Sequence, residues 1–116
     1  MAKGFYVQEG KTIDYVNSGE ADIGYCDVVP LTSRVGVAES TIPKGGKGSL
    51  SISGVYELPA DTAAMTVGQQ VHWDIAAGKV VASAGTAGND GVLPTVPCGT
   101  VVADKVAASA SVLVKI

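Results

Sequence analysis

Hydrophobic and polar positions alternate most regularly between Ser49 and Leu58. Leu50, Ile52, Tyr56 and Leu58 fall on one side, and Ser49, Ser51, Ser53 and Glu57 on the other. Successive side chains of a strand leave opposite faces, so a period of two predicts one half-buried strand here. Pro59 ends it by removing a ladder donor. Asp61 to Met65 predicts a single short helical turn, with Asp61 accepting its free amides. Thr66-Val67-Gly68 reads as a turn, and alternation resumes over Gln70 to Asp74 with Val71 and Trp73 inward. A strand, a proline corner and a returning strand around the only Trp predict the centre of an all-β core. Its members are Leu50, Ile52, Tyr56, Leu58, Val71 and Trp73.

The rest of the chain repeats this grammar. Phe5 to Gln8 is a short strand-like opening, closed by a turn at Glu9-Gly10. Lys11 to Val16 alternates again, with Ile13 and Tyr15 on one side. Glu20 to Asp27 reads as an exposed acidic loop. Val28 to Leu31 is apolar, and Pro30 places it at a sheet edge or strand end. Arg34 to Ala38 is a glycine-interrupted strand, and Ile42 to Gly48 a flexible turn. Asp74 to Lys79 predicts a hairpin loop returning through Val80 to Ser83. Ala84 to Pro97 is the one long irregular stretch, and such loops are functional or mobile. Cys98 to Val102 and Ser111 to Ile116 are strands. Roughly eight to ten short strands, with at most one helical turn, predict a compact sandwich or barrel-like domain. Residues 1–116 then form a single β domain with a short N-terminal arm over about residues 1–7.

Composition supports this pattern. The chain is 47% hydrophobic but only 5% aromatic, which suits short strands and glycine turns better than long amphipathic helices. Its net charge is −3, and its eight cations are scattered. Nucleic-acid binding draws on clustered Lys and Arg, so no nucleic-acid partner is expected. No apolar run approaches the about 18 residues that would cross a membrane. Met1-Ala2-Lys3-Gly4 leads into a mixed polar segment without an apolar leader, so synthesis in the cytoplasm is expected. Cys26 and Cys98 allow one disulfide only if their strands adjoin, and a cytoplasmic origin favours free thiols.

Candidate chemistry is sparse. Lys44-Gly45-Gly46-Lys47-Gly48-Ser49 resembles a phosphate loop only superficially. Gly48 follows Lys47 where Ser or Thr is needed, Thr41 holds the upstream glycine position, and a strand follows instead of a helix. His72 and Asp74 share a strand face, yet no nucleophile accompanies them, so a polar stripe is the expected reading. Glu20, Asp22 and Asp27 lack the alternating spacing of a calcium loop. The tyrosines at 6, 15, 25 and 56 are scattered. The expectation is no catalytic site, no cofactor and no metal.

The order of landmarks resembles the small capsid cement, or head decoration, proteins of tailed bacteriophages. The carriers are Phe5-x-x-Gln8-x-Gly10 with Ile13-Asp14-Tyr15, and Gly54-Val55-Tyr56-Glu57-Leu58-Pro59. Gly68 to Asp74 and Val112-Leu113-Val114-Lys115-Ile116 complete them, so the likeness runs from about Gly4 to Ile116. It departs at Ala84 to Pro97, where a short connection is usual. The resemblance implies a non-enzymatic β-fold that sits on the outer surface of the virion head. There it would bridge major capsid protein subunits and self-associate as a dimer or trimer. Phe5, Tyr6 and Val7 of the arm, with Val92 and Leu93 of the long loop, are the expected capsid or oligomer interface. The alternative is another virion-surface or fibre-type adhesive module that binds carbohydrate.

Overall fold

The computed structural model describes residues 1–116 and contains nine strands and no helix. In chain order these are β1 (Thr12–Val16), β2 (Val28–Pro30), β3 (Val35–Ala38), β4 (Lys47–Ser51), β5 (Val55–Pro59), β6 (Gln70–Asp74), β7 (Lys79–Val81), β8 (Thr95–Val101) and β9 (Ser111–Lys115). They form two antiparallel sheets, one of order β1-β4-β3-β2 and one of order β5-β9-β8-β6-β7. The outer strands β5 and β7 approach at one bridge, Ala60 to Val80, but the sheet does not close into a barrel.

The strand predicted from Ser49 to Leu58 is two strands in different sheets. β4 ends at Ser51 and β5 begins at Val55, with the chain bending through Gly54 at φ 127°. The bend is tied from both sides. Ser51 Oγ donates to Ser53 O at 3.1 Å, and Tyr56 Oη donates to Ser51 Oγ at 2.8 Å. Residues of one phase therefore enter two cores. Leu58, Val71 and Trp73 lie in the large one with Val35, Val37, Met65, Val80, Val101, Val112 and Val114, and Tyr56 packs on its margin. Leu50 lies in a smaller cluster with Val29, Ala38 and Ile42. Ile52, expected beside Trp73, sits in the bend, is only partly buried and belongs to neither cluster. Strand β3 is buried along its whole length because Val35 and Val37 face one core while Ala38 faces the other.

Three further expectations are corrected. Phe5 to Gln8 forms no strand, because no neighbouring strand pairs with it and residues 1–10 are exposed. Asp61 to Met65 forms no helical turn. Asp61 Oδ1 accepts the Ala63 amide at 3.1 Å, but Met65 pairs its backbone with Lys105 and is buried. A lone helical turn is costly to nucleate, and sheet pairing with an apolar anchor outweighs it. The long loop ends at Pro94, since Thr95, Val96 and Pro97 belong to β8. Pro97 is tolerated inside a central strand at a local irregularity. The β6 register shifts between Val71 and His72, and β9 pairs with β8 only at Thr100 and Val101.

Four turns share one construction. Ile23 bridges Ile42, and Met65 bridges Lys105. One residue after each, a β-turn opens, closed by Asp27 to Gly24, Gly46 to Pro43, Gln69 to Thr66 and Ser109 to Val106 amide–carbonyl bonds of 3.1, 2.8, 3.1 and 3.2 Å. The third turn residue has positive φ in every case: Cys26 at 69°, Gly45 at 76°, Gly68 at 88° and Ala108 at 72°. This is the type II pattern, which favours glycine there. β2, β4, β6 and β9 follow. Each bridged pair also sends one side chain, Ile42 or Met65, deep into a core.

Candidate functional site

The reactive-looking residues are mostly occupied with holding turns. Glu20 pairs with Lys44 at 3.0 Å, and Asp22 accepts the Lys44 amide at 2.8 Å. Asp27 accepts the Gly24 amide at 2.8 Å, so the acidic loop is sewn to the body by its own carboxylates. Asp74 accepts the Ala77 amide at 3.0 Å and closes the β6–β7 hairpin, so it is engaged away from His72. Lys47 pairs with Asp14 at 3.5 Å. No group of three or more His, Cys, Asp or Glu side chains converges. Both cysteines are free, Cys26 exposed and Cys98 buried, and burial raises the Cys98 thiol from 9.0 to about 11.

The five side chains predicted as an interface are all exposed. Phe5, Tyr6 and Val7 are 83%, 83% and 87% exposed, an apolar triplet with no packing of its own. Val92 and Leu93 are 63% and 57% exposed. Their loop is ordered from within: the Val92 amide donates to Asp90 Oδ1 at 3.0 Å, and the Gly85 amide to Thr95 Oγ1 at 2.9 Å. The Ile75 amide donates to Pro94 O at 3.1 Å, tying the loop to the β6–β7 hairpin. No hydrogen bond joins the arm to this loop. Both the arm and the loop display apolar side chains to solvent.

Two concave surfaces escaped the sequence reading. The first is a cleft of about 190 Å³ at the seam of the two sheets, lined by Tyr25, Cys26, Val37, Ala38, Glu39 and Tyr56. Alternation could not reveal it, because Tyr25 and Cys26 lie on a turn and meet β3 only through the Cys26 amide and Ala38 O, 2.9 Å apart. The adjoining Cys26 raises the Tyr25 phenol above its usual range, chiefly by a side-chain hydrogen bond and then by thiolate charge. The second is a groove of about 230 Å³ on the outer face of β5 and β9, where Glu57, Val106 and Leu113 meet Lys105. Lys105 is 5% exposed and has no carboxylate partner. Its ammonium donates to Ala63 O at 2.6 Å and Val106 O at 3.3 Å, clamping the β5–β6 connection to the β8–β9 connection.

No curated protein and no solved structure matches the chain. A family model does, and its span covers both sheets, every strand and the long loop, leaving only residues 1–6 of the arm outside it. That family is described as phage cement protein; it matches residues 7–116, and the chain belongs to it.

Proposed function

We propose that this protein binds the outer surface of the assembled phage head and stabilises it by bridging neighbouring major capsid protein subunits. The observation that carries this reading is the apolar arm. Phe5, Tyr6 and Val7 stand exposed beside a body whose two cores are closed by bridged turns. An unpartnered apolar segment on a rigid body suits docking better than chemistry, and no group of three or more His, Cys, Asp or Glu side chains accompanies it.

The mechanism is mechanical. A shell under internal pressure fails where subunits meet, so a stiff domain that grips both sides of a seam raises the work needed to part them. Each contact can be of ordinary size, about 800 Å² per partner. The second contact is made at high effective concentration once the first has formed, so two weak grips hold as one strong one. The arm supplies one contact, and the Val92–Leu93 loop, held by Thr95 and the β6–β7 hairpin, supplies another. Self-association of copies as dimers or trimers on the shell would add lateral ties.

Removing residues 2–7 tests the reading. The truncated protein should keep its melting temperature, because the arm makes no contact with either core. It should lose co-sedimentation with undecorated shells, and the shells should open at lower temperature. Unchanged decoration by the truncated protein would refute the arm as anchor.

A further inference from the structure

We propose that copies of this protein join head to tail, the Phe5 ring of one entering the Tyr25–Tyr56 cleft of the next while its Lys3 ammonium meets Glu39. The proposal shares the arm with the shell-binding reading but does not depend on a shell. The cleft is built to take one apolar group. Val37 and Ala38 form part of its lining, the two tyrosines line it with them, and Tyr25 is left 70% exposed. Its volume of about 190 Å³ exceeds the ~150 Å³ of an engineered cavity that accepts benzene, so a phenyl ring fits. Aromatic anchors seated in pockets are where interface energy concentrates.

Charge selects the occupant. Glu39 is the cleft's only carboxylate and enters no ion pair or side-chain hydrogen bond. Lys3 is likewise without an ion pair. Lys3 and Phe5 are two positions apart, so in an extended arm both point to the same side, roughly 7 Å apart. Glu39 lines the same cleft that receives the ring, which places the two complementary charges within reach. Tyr6 points to the opposite side and stays available to the shell. Within one chain the match is unmade, with Phe5 exposed and no hydrogen bond from residues 1–10 to the body. A contact between two different patches is heterologous, and it closes into a ring or runs on as a chain.

Cys26, exposed on the cleft wall, provides the test. Full-length Val7→Cys protein keeps the Phe5 ring and carries its thiol on the same side of the extended arm. Concentrated and oxidised with copper phenanthroline, it should give a ladder of disulfide-linked chains on a non-reducing gel. Its yield should exceed that of Tyr6→Cys by about tenfold, because docking raises the local concentration on one side of the arm only. The ladder should vanish with Cys26→Ser and with Phe5→Ala. In the Val7→Cys background, Glu39→Lys should reduce it, and adding Lys3→Glu should restore it. Four results would each overturn the proposal: equal yields from Val7→Cys and Tyr6→Cys, no ladder, a ladder unchanged by Phe5→Ala, or a bridge within the monomer between Cys26 and the introduced thiol. Shell co-sedimentation reads the other hypothesis separately: an intact ladder with no shell binding would sink that one alone.

Discussion

Gly99→Ala should be among the most damaging single-methyl additions to this protein. Gly99 has φ 156°, a conformation that essentially only glycine adopts. A Cβ there would overlap Lys115 O, lie 2.9 Å from Lys115 C and 3.0 Å from Val114 Cγ1. The obstacle is backbone, and β9 cannot step aside, because five consecutive residues pair it with β5. Relief would have to come from parting β8 and β9, which pair at Thr100–Lys115 and Val101–Val114, with the Val102 amide donating to Leu113 O just beyond. The backbone conformation alone costs about 1–3 kcal/mol, and each lost hydrogen bond adds about 1 kcal/mol, for roughly 3–5 kcal/mol in all. That is a large share of the about 5–15 kcal/mol by which domains are stable. Urea unfolding followed by Trp73 fluorescence would measure it, with Gly78→Ala as the reference. Gly78 also has positive φ, at 66°, but nothing lies within 4 Å of its Cβ position, so only about 1 kcal/mol should be lost there. Equal losses for the two variants would show that the close approach of β8 to β9 carries no weight.

Trp73→Ala should cost about 3–5 kcal/mol, since the indole is 6% exposed inside the large core; a near-normal melt would place it outside the folding unit. Ala108→Gly should stabilise by about 0.5–1 kcal/mol in urea, because its φ of 72° suits glycine, and destabilisation would refute the shared-turn reading. Native protein at pH 8 should lose Cys26 to a thiol reagent and keep Cys98, with equal labelling as the contrary result. Because burial raises the folded Cys98 thiol from 9.0 to about 11, its contribution is fully present below pH 9 and is lost as pH climbs towards 11, where the unfolded thiol ionises first. The wild-type loss of roughly 2–3 kcal/mol over that window should shrink in Cys98→Ala, and an identical pH profile would contradict it.

The fold class was legible because strands and turns are local. The alternation of Gln70 to Asp74, Pro30 at an edge, the Asp74–Lys79 hairpin and the C-terminal strand are each written in neighbouring residues, and the structure has each of them. Sheet assignment was not legible. Nothing in a period of two says that Leu50 and Leu58 serve different cores, since the bend at Gly54 preserves the phase while changing the sheet. The turns show the same limit in miniature. Gly45 and Gly68 announce a positive φ, whereas Cys26 and Ala108 hold it because the Ile23–Ile42 and Met65–Lys105 bridges impose it from across the chain.

For the proposed interface, sequence alone reaches one half. Phe5, Tyr6 and Val7 stand out because they are apolar residues without a partner, and a tethered segment needs no fold to be seen. A receptor for such a segment is a different kind of object. The cleft between Tyr25 and Tyr56 exists only because a turn before β2, the end of β3 and the start of β5 meet at the seam. Its walls are 31 residues apart in sequence, and its one carboxylate lies between them in the chain without belonging to any motif. On the head-to-tail proposal each copy carries both halves, a probe that reaches out and a socket that receives. The probe tolerates sequence drift, because any apolar ring on a tether can serve. The socket is bound to the core, since Val37 also packs in the large cluster and Tyr56 fixes the bend through Ser51. Substitutions that reshape the socket should therefore cost stability as well as association, whereas substitutions in the arm should cost association alone.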